Sequence, residues 1–170
     1  MPRLDETYRR RALPPGSPRH LSWLFSAAAV RDPLLAVYAL LAEWRATMHA
    51  GVDPATAAGK LAWWQEEMRR LSMARPVHPV SRFLASLPGA DEIAFDPLEK
   101  AIDAAVARIT GQPLTRREDL ADRADALIGG PLRIAIRLGS TVLEPLALEA
   151  CTRALACGEY LARALEERDQ

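Results

Sequence analysis

Lysine is almost missing from this chain. Lys60 and Lys100 are the only two, so Arg supplies nearly all the positive charge. Lys plus Arg and Asp plus Glu balance at 22 each, giving a formal net charge of zero. No cluster of basic residues is interleaved with aromatics, which excludes the stacking, cationic surface of a single-strand nucleic-acid binder. Cysteine is equally scarce. Cys151 and Cys157 stand six apart on an expected helix, so they point to different faces and cannot bridge each other there. Their spacing fits no zinc pattern, and they read as two buried or half-buried thiols in a reducing compartment. A long hydrophobic run is also lacking. The best stretch, Pro33 to Leu41, falls short of the roughly 18 residues a membrane span needs and runs into Glu43 and Arg45. The N-terminus has no apolar core and carries Asp5 and Glu6, which argues against a targeting leader. The expectation is a cytoplasmic protein with at most peripheral membrane contact. The nucleophile elbow, the P-loop and the dinucleotide glycine pattern are all absent, so those chemistries have no signature here.

What is present is helical punctuation. Apolar residues make up 49% and charged residues 26% of 170 residues, the balance of one globular domain. Ser17-Pro18, Asp32-Pro33, Asp53-Pro54 and Asp96-Pro97 share one design. A side-chain oxygen caps the first free N–H groups, and Pro occupies the first helical position, where its missing donor costs nothing. Between these starts the apolar residues recur at helical period. Ala57, Leu61, Trp64, Met68 and Leu71 form one stripe. Trp64 therefore belongs in the core and Trp63 nearer an edge, while Glu66, Glu67, Arg69 and Arg70 fall outside the stripe. Leu34, Val37, Tyr38, Leu41 and Met48 line an earlier helix. Val80, Phe83, Leu84 and Leu87 line a short one that Pro88-Gly89 ends. Leu98, Ile102, Val106 and Ile109 line the next. A helix from about Arg116 should stop at Gly129-Gly130, Pro131 should start another, and Gly139 should close that one as a left-handed cap. The last helix runs from about Pro145. No alternation of period two competes. The expected fold is all-α, about seven to nine helices, with residues 1–16 a flexible arm and 17–170 a single helical domain.

Candidate chemistry is thin. His20, His49 and His78 lie in different segments, none with a metal-spaced partner on its own helix, so each reads as structural or superficial. Glu99 and Asp103 are i,i+4 and could share a divalent ion, but such pairs are common on solvated faces. Asp119, Asp122 and Asp125 spread over a wide face and do not converge.

Four stretches together resemble the squalene/phytoene synthase family of head-to-head prenyltransferases. HLSWLFSAAAVRDPLLAVYALLAEWR looks like its opening, with the aromatic-Ala pair at Tyr38-Ala39. AGKLAWWQEEMRRLSMARPVHPVSRFL is similar to its Trp, acidic-basic helix and His-Pro-Val element. ADALIGGPLRIAIRLGS resembles its Ala-Gly helix break, and CGEYLARALEERD its late Gln, Asn, Arg-Asp helix. The resemblance implies an all-α fold of the isoprenoid synthase type and extends over most of residues 17–169.

It also implies a site that this sequence has lost. The family's Arg-x-x-Asp-Asp-x-x-Asp run, which holds Mg²⁺ against the substrate diphosphate, aligns with Ala42, Arg45, Ala46 and His49. The family's mid-chain Asp aligns with Arg108. Arg168-Asp169 align with its Arg-Asp, but the preceding Gln and Asn are Ala162 and Leu165, and the sequence stops before a second Asp-rich motif, as a C-terminally truncated member would. Carboxylate-held Mg²⁺ neutralises the leaving diphosphate, and losing one electrostatic stabiliser alone costs about 2.7–4 kcal/mol. The resemblance therefore points to a non-catalytic member without metal or other cofactor, similar to the family's complex I assembly factor branch. Such a member would bind a protein partner or a second copy of itself, or an isoprenoid ligand; the erased diphosphate site, the candidate ligand-binding residues, is Ala42, Arg45, Ala46, His49, Arg168 and Asp169. The alternative is an active or heteromeric prenyltransferase acting on isoprenoid diphosphates, which would need Mg²⁺.

Overall fold

The computed structural model describes residues 3–49, 51–113, 115–139 and 145–168. Among them there are helices and no strand: α1 (Glu6–Ala12), α2 (Pro18–Phe25), α3 (Ala28–Thr47), α4 (Pro54–Ser72), α5 (Pro79–Ala85), α6 (Asp96–Ile109), α7 (Arg117–Ala124), α8 (Gly130–Leu138) and α9 (Pro145–Arg168). None is long and apolar enough to cross a membrane.

The caps follow the sequence in part. Ser17 Oγ accepts from His20 N and Asp53 from Thr56 N, each with Pro at the first helical position. The other two starts behave differently. Asp32-Pro33 lies inside α3, which begins at Ala28, because Ala28 and Ala29 favour a helical turn upstream of the proline. Asp96 is the first residue of α6 and makes no capping bond. Residues 6–12, expected within a flexible arm, form α1. Asp5 caps it through Thr7 N, and Ala12 and Leu13 are buried against the core.

Helix α3 is the axis of the fold. Residues 33 to 41 are buried on every side, because α1, α5 and α8 pack around this helix. Helix α4 packs against α6 through the expected stripe, with Leu61 and Met68 fully buried and Trp64 and Leu71 nearly so. Two polar links tie the same pair of helices. Gln65 Nε2 donates to Asp103 at 2.9 Å, and Ser72 Oγ donates to Glu99 at 3.2 Å. These bonds account for the Glu99/Asp103 pair without a metal.

Gly129 and Gly139 act through space and not through backbone sign. The helix does not stop at Gly129-Gly130. It continues from α7 into α8 through one π-helical turn, Asp125–Gly129. A Cβ at Gly129 would stand 2.2 Å from an Asp125 carboxylate oxygen. Its absence leaves room for the forked pair of Asp125 with Arg133, 2.7 Å on both arms. The other two aspartates also have separate partners, Asp119 at Arg116 and Asp122 at Arg153. Gly139 has φ −74°, so it is not the left-handed cap that its position implied. Its role is close approach, since a Cβ there would lie 2.6 Å from Val30 Cγ2 of α3. Cys151 is exposed and Cys157 half-buried, so the first thiol departs from the expectation of two sheltered ones.

Two packing outcomes follow. Trp64→Ala should cost about 3–5 kcal/mol, since it empties a core position, while Trp63→Ala should cost far less. Gly139→Ala should cost about 1–3 kcal/mol by overpacking α8 on α3, and Val30→Ala in the same chain should recover part of that loss. Urea unfolding midpoints of the single and double variants test both.

Candidate functional site

A buried carboxylate organises the end of the molecule that holds the candidate cleft. Glu67 is fully buried on α4, although its position outside the apolar stripe marked it as solvent-facing. It accepts from His78 N at 2.8 Å and from Val77 N at 3.0 Å, and Arg70 Nη1 lies 3.6 Å away. The buried charge is tolerated because those N–H groups and the guanidinium replace its water. The turn from α4 to α5 is thereby pinned.

His78 then caps α5. Its Nδ1 accepts from Val80 N at 3.3 Å, so in the neutral ring the hydrogen sits on Nε2. The ring is held by aromatic edges, with centroids 4.7 Å from Trp64, 5.5 Å from Tyr8 and 5.9 Å from Trp63. Burial pushes the His78 pKa below its ordinary 6.5, with Glu43 and Glu67 pulling the other way. The remaining histidines are local devices too: His20 Nδ1 accepts from Gly16 N, and His49 Nδ1 from Gly51 N.

Beside His78 opens a cleft of about 340 Å³. Trp63, Trp64 and Lys60 of α4 form one wall; Glu43, Ala46 and Thr47 of α3 form the other; Arg11 of α1 closes one end. Glu43 is the lining carboxylate, and it is already engaged: Arg11 Nη1 lies 3.0 Å from its Oε1. Thr47 is buried and its hydroxyl returns to the Glu43 carbonyl at 3.1 Å, so it offers the cleft little hydrogen-bonding capacity.

Of the residues expected at the site, Ala46 lines this cleft. Ala42 is half-buried, and Arg45 and His49 are exposed, all three outside its lining. The open face of α3 thus runs through Glu43, Ala46 and Thr47, one helical position round from the aligned face. Arg108, aligned with a family aspartate, stacks its guanidinium 5.9 Å from the Tyr160 ring. Arg168 ends α9; its side chain, those of Ala162 and Leu165, and residues Asp169 and Gln170 lie outside the described residues. Sequence reasoning left out Arg11, Lys60 and Trp63 as cleft residues. The legible signal was an exposed Trp beside a buried one, one turn from one of only two lysines.

The four aligned positions do not fit Mg²⁺. That ion takes an octahedron of oxygens, and they offer two methyl groups, a guanidinium and an imidazole, with Glu43 beside them paired to Arg11. Among the described residues no group of three or more His, Cys, Asp or Glu could hold a metal.

His78 ties the site to stability. Its folded pKa is depressed, so the unfolded chain takes up the proton first as pH falls. Stability is then full above about pH 6.5 and declines below it. His78→Asn keeps an acceptor for the Val80 N–H and removes the titration. Midpoints measured between pH 8 and 5 should fall less steeply for that variant than for the parent chain.

Comparison with known proteins gives one positive finding. The family model of squalene/phytoene synthase matches residues 15–137. No curated protein and no solved structure matches. The matched span takes in α2 through most of α8, including the α3 turn, the Trp63-Trp64 wall and the His78-Pro79 cap. Its all-helical architecture is consistent with the isoprenoid synthase fold of that family. The chain belongs to the squalene/phytoene synthase family.

Proposed function

We propose that this chain is a non-catalytic member of its family that acts by binding, in an assembly or accessory role, with a protein partner or an isoprenoid ligand as its target. The observation that carries the reading is the α3 turn. Where the resemblance implies carboxylates that hold Mg²⁺, the chain has Ala42, Arg45, Ala46 and His49, and the one neighbouring carboxylate, Glu43, is paired to Arg11. Family chemistry of the resembled kind joins two prenyl diphosphates. A volume of about 340 Å³ lies at the small end of small-molecule sites, about 300–1,000 Å³, and suits one compact ligand better than two long chains.

Two features support binding. The cleft is walled by indole and imidazole rings, which favour an apolar guest. Helix α9 leaves Leu146, Leu155 and Leu161 exposed at 73%, 63% and 48%, and exposed apolar side chains of this size support a protein partner or a second copy on this helix.

Calorimetry with millimolar Mg²⁺ and a diphosphate analogue should give no metal-dependent heat. Incubation with farnesyl or geranylgeranyl diphosphate and Mg²⁺ should yield no condensed product. Metal-dependent binding, or any C30 or C40 product, would instead mean that Glu43 or Asp169 has assumed the aspartates' role, and the reading would fail.

A further inference from the structure

The cleft carries more information than its size. Its three charged side chains do not cancel. Arg11 and Glu43 satisfy each other at 3.0 Å, which leaves Lys60 as the unmatched charge; among the described residues it makes no ion pair. A lysine beside an aromatic wall is a particular arrangement here, since this chain has only two lysines and otherwise uses arginine. Next to it Trp63 stays 42% exposed, with its ring edge-on to Trp64 at 5.2 Å and to His78 at 5.9 Å. An indole held open in this way, backed by a buried indole and a fixed imidazole, presents a rigid apolar wall at little entropy cost.

From this juxtaposition we infer that the cleft is a metal-independent site for a small amphipathic anion, its carboxylate or phosphate head at Lys60 and its apolar body along Trp63, Trp64 and His78. This rests on the ligand-binding half of the proposed function. It moves the anion contact from the aligned face of α3 to α4. An ammonium is a point charge that reaches an oxyanion without demanding fork geometry, so it suits a carboxylate or a phosphate equally. A cationic guest is disfavoured, because Glu43 is neutralised in place by Arg11 and Lys60 repels it.

The test uses three molecules with one carbon skeleton: geranate, geraniol and geranylamine, titrated into the full chain by calorimetry without metal. Geranate should bind most tightly and geranylamine least. Lys60→Gln should weaken geranate by about fivefold, the scale of a half-exposed ion pair, and leave geraniol unchanged. Trp63→Ala should weaken geranate and geraniol alike, by about tenfold. Both side chains are exposed, and unchanged circular dichroism will show that the variants fold. Geranylamine binding as well as geranate, or geranate indifferent to Lys60→Gln, overturns the proposal. Co-sedimentation with phosphatidylglycerol but not phosphatidylcholine vesicles, lost in Lys60→Gln and without geranate binding, also overturns it, because the anion would then be a lipid surface. The two readings fail separately. Absent geranate binding leaves the non-catalytic reading standing, and a condensed product with intact geranate binding removes only the non-catalytic reading.

Discussion

The wall of the candidate cleft hangs on the Glu67 carboxylate. A charge taken fully out of water is costly by several kcal/mol unless its oxygens are satisfied. Here they accept from Val77 N and His78 N, with Arg70 nearby. That solution fixes the backbone of a turn that has no regular structure of its own. With the turn fixed, the His78 ring has one place to go, over Trp64 and against Trp63, and α5 starts in the direction its cap dictates. The cleft wall is thus set by a residue that does not line it. Removing one partner of such a network leaves the other buried and unmatched, so the wall and the stability of α4 on α5 stand or fall together.

The second constraint is the full burial of the middle of α3, residues 33 to 41. A helix packed on every side cannot rotate to re-aim its C-terminal turns, so its residues from Ala42 onward emerge where the packing of residues 33 to 41 sends them. That emergence puts Glu43 and Ala46 toward the cleft and leaves Arg45 and His49 exposed. Gly139 participates in the same constraint from α8, because its missing side chain allows α3 to approach at Val30.

The fold was largely legible in the sequence for reasons that are local. Ala57, Leu61, Trp64, Met68 and Leu71 repeat at helical spacing and are buried as a stripe, and Trp63 stays exposed beside them. Ser17 and Asp53 cap because the oxygen, the proline and the following periodicity all agree. Asp32-Pro33 misled because a proline is also tolerated once upstream residues have started the turn. Gly139 misled because a glycine after a helix has two possible causes, backbone sign and close approach, and only three dimensions tell them apart. Glu67 was unreadable for a similar reason. Its charge marks it as exposed, and the N–H groups that make burial tolerable come from residues 77 and 78 across a turn. The cleft shows the same boundary. The aligned face and the cleft share Ala46, but the stripe read along Leu34, Val37, Tyr38, Leu41 and Met48 did not mark which side of α3 stays open, because residues 33 to 41 are buried all round.

Charge sign connects this site to what it can do. A carboxylate-held Mg²⁺ accelerates the loss of diphosphate because its attraction grows as negative charge builds on the leaving oxygens. The cations here act differently. Lys60 lies at a solvent-open wall, where water screens it, and Arg11 is committed to Glu43. An anion beside them gains nearly as much before ionisation as during it. Interaction that is equal in the ground state and the transition state lowers a dissociation constant without raising a turnover number. On the proposed reading, exchanging aspartates and metal for an ammonium beside two indoles would do more than weaken an activity. It would convert the physical basis of the site from differential to uniform binding, the condition for holding a molecule without changing it.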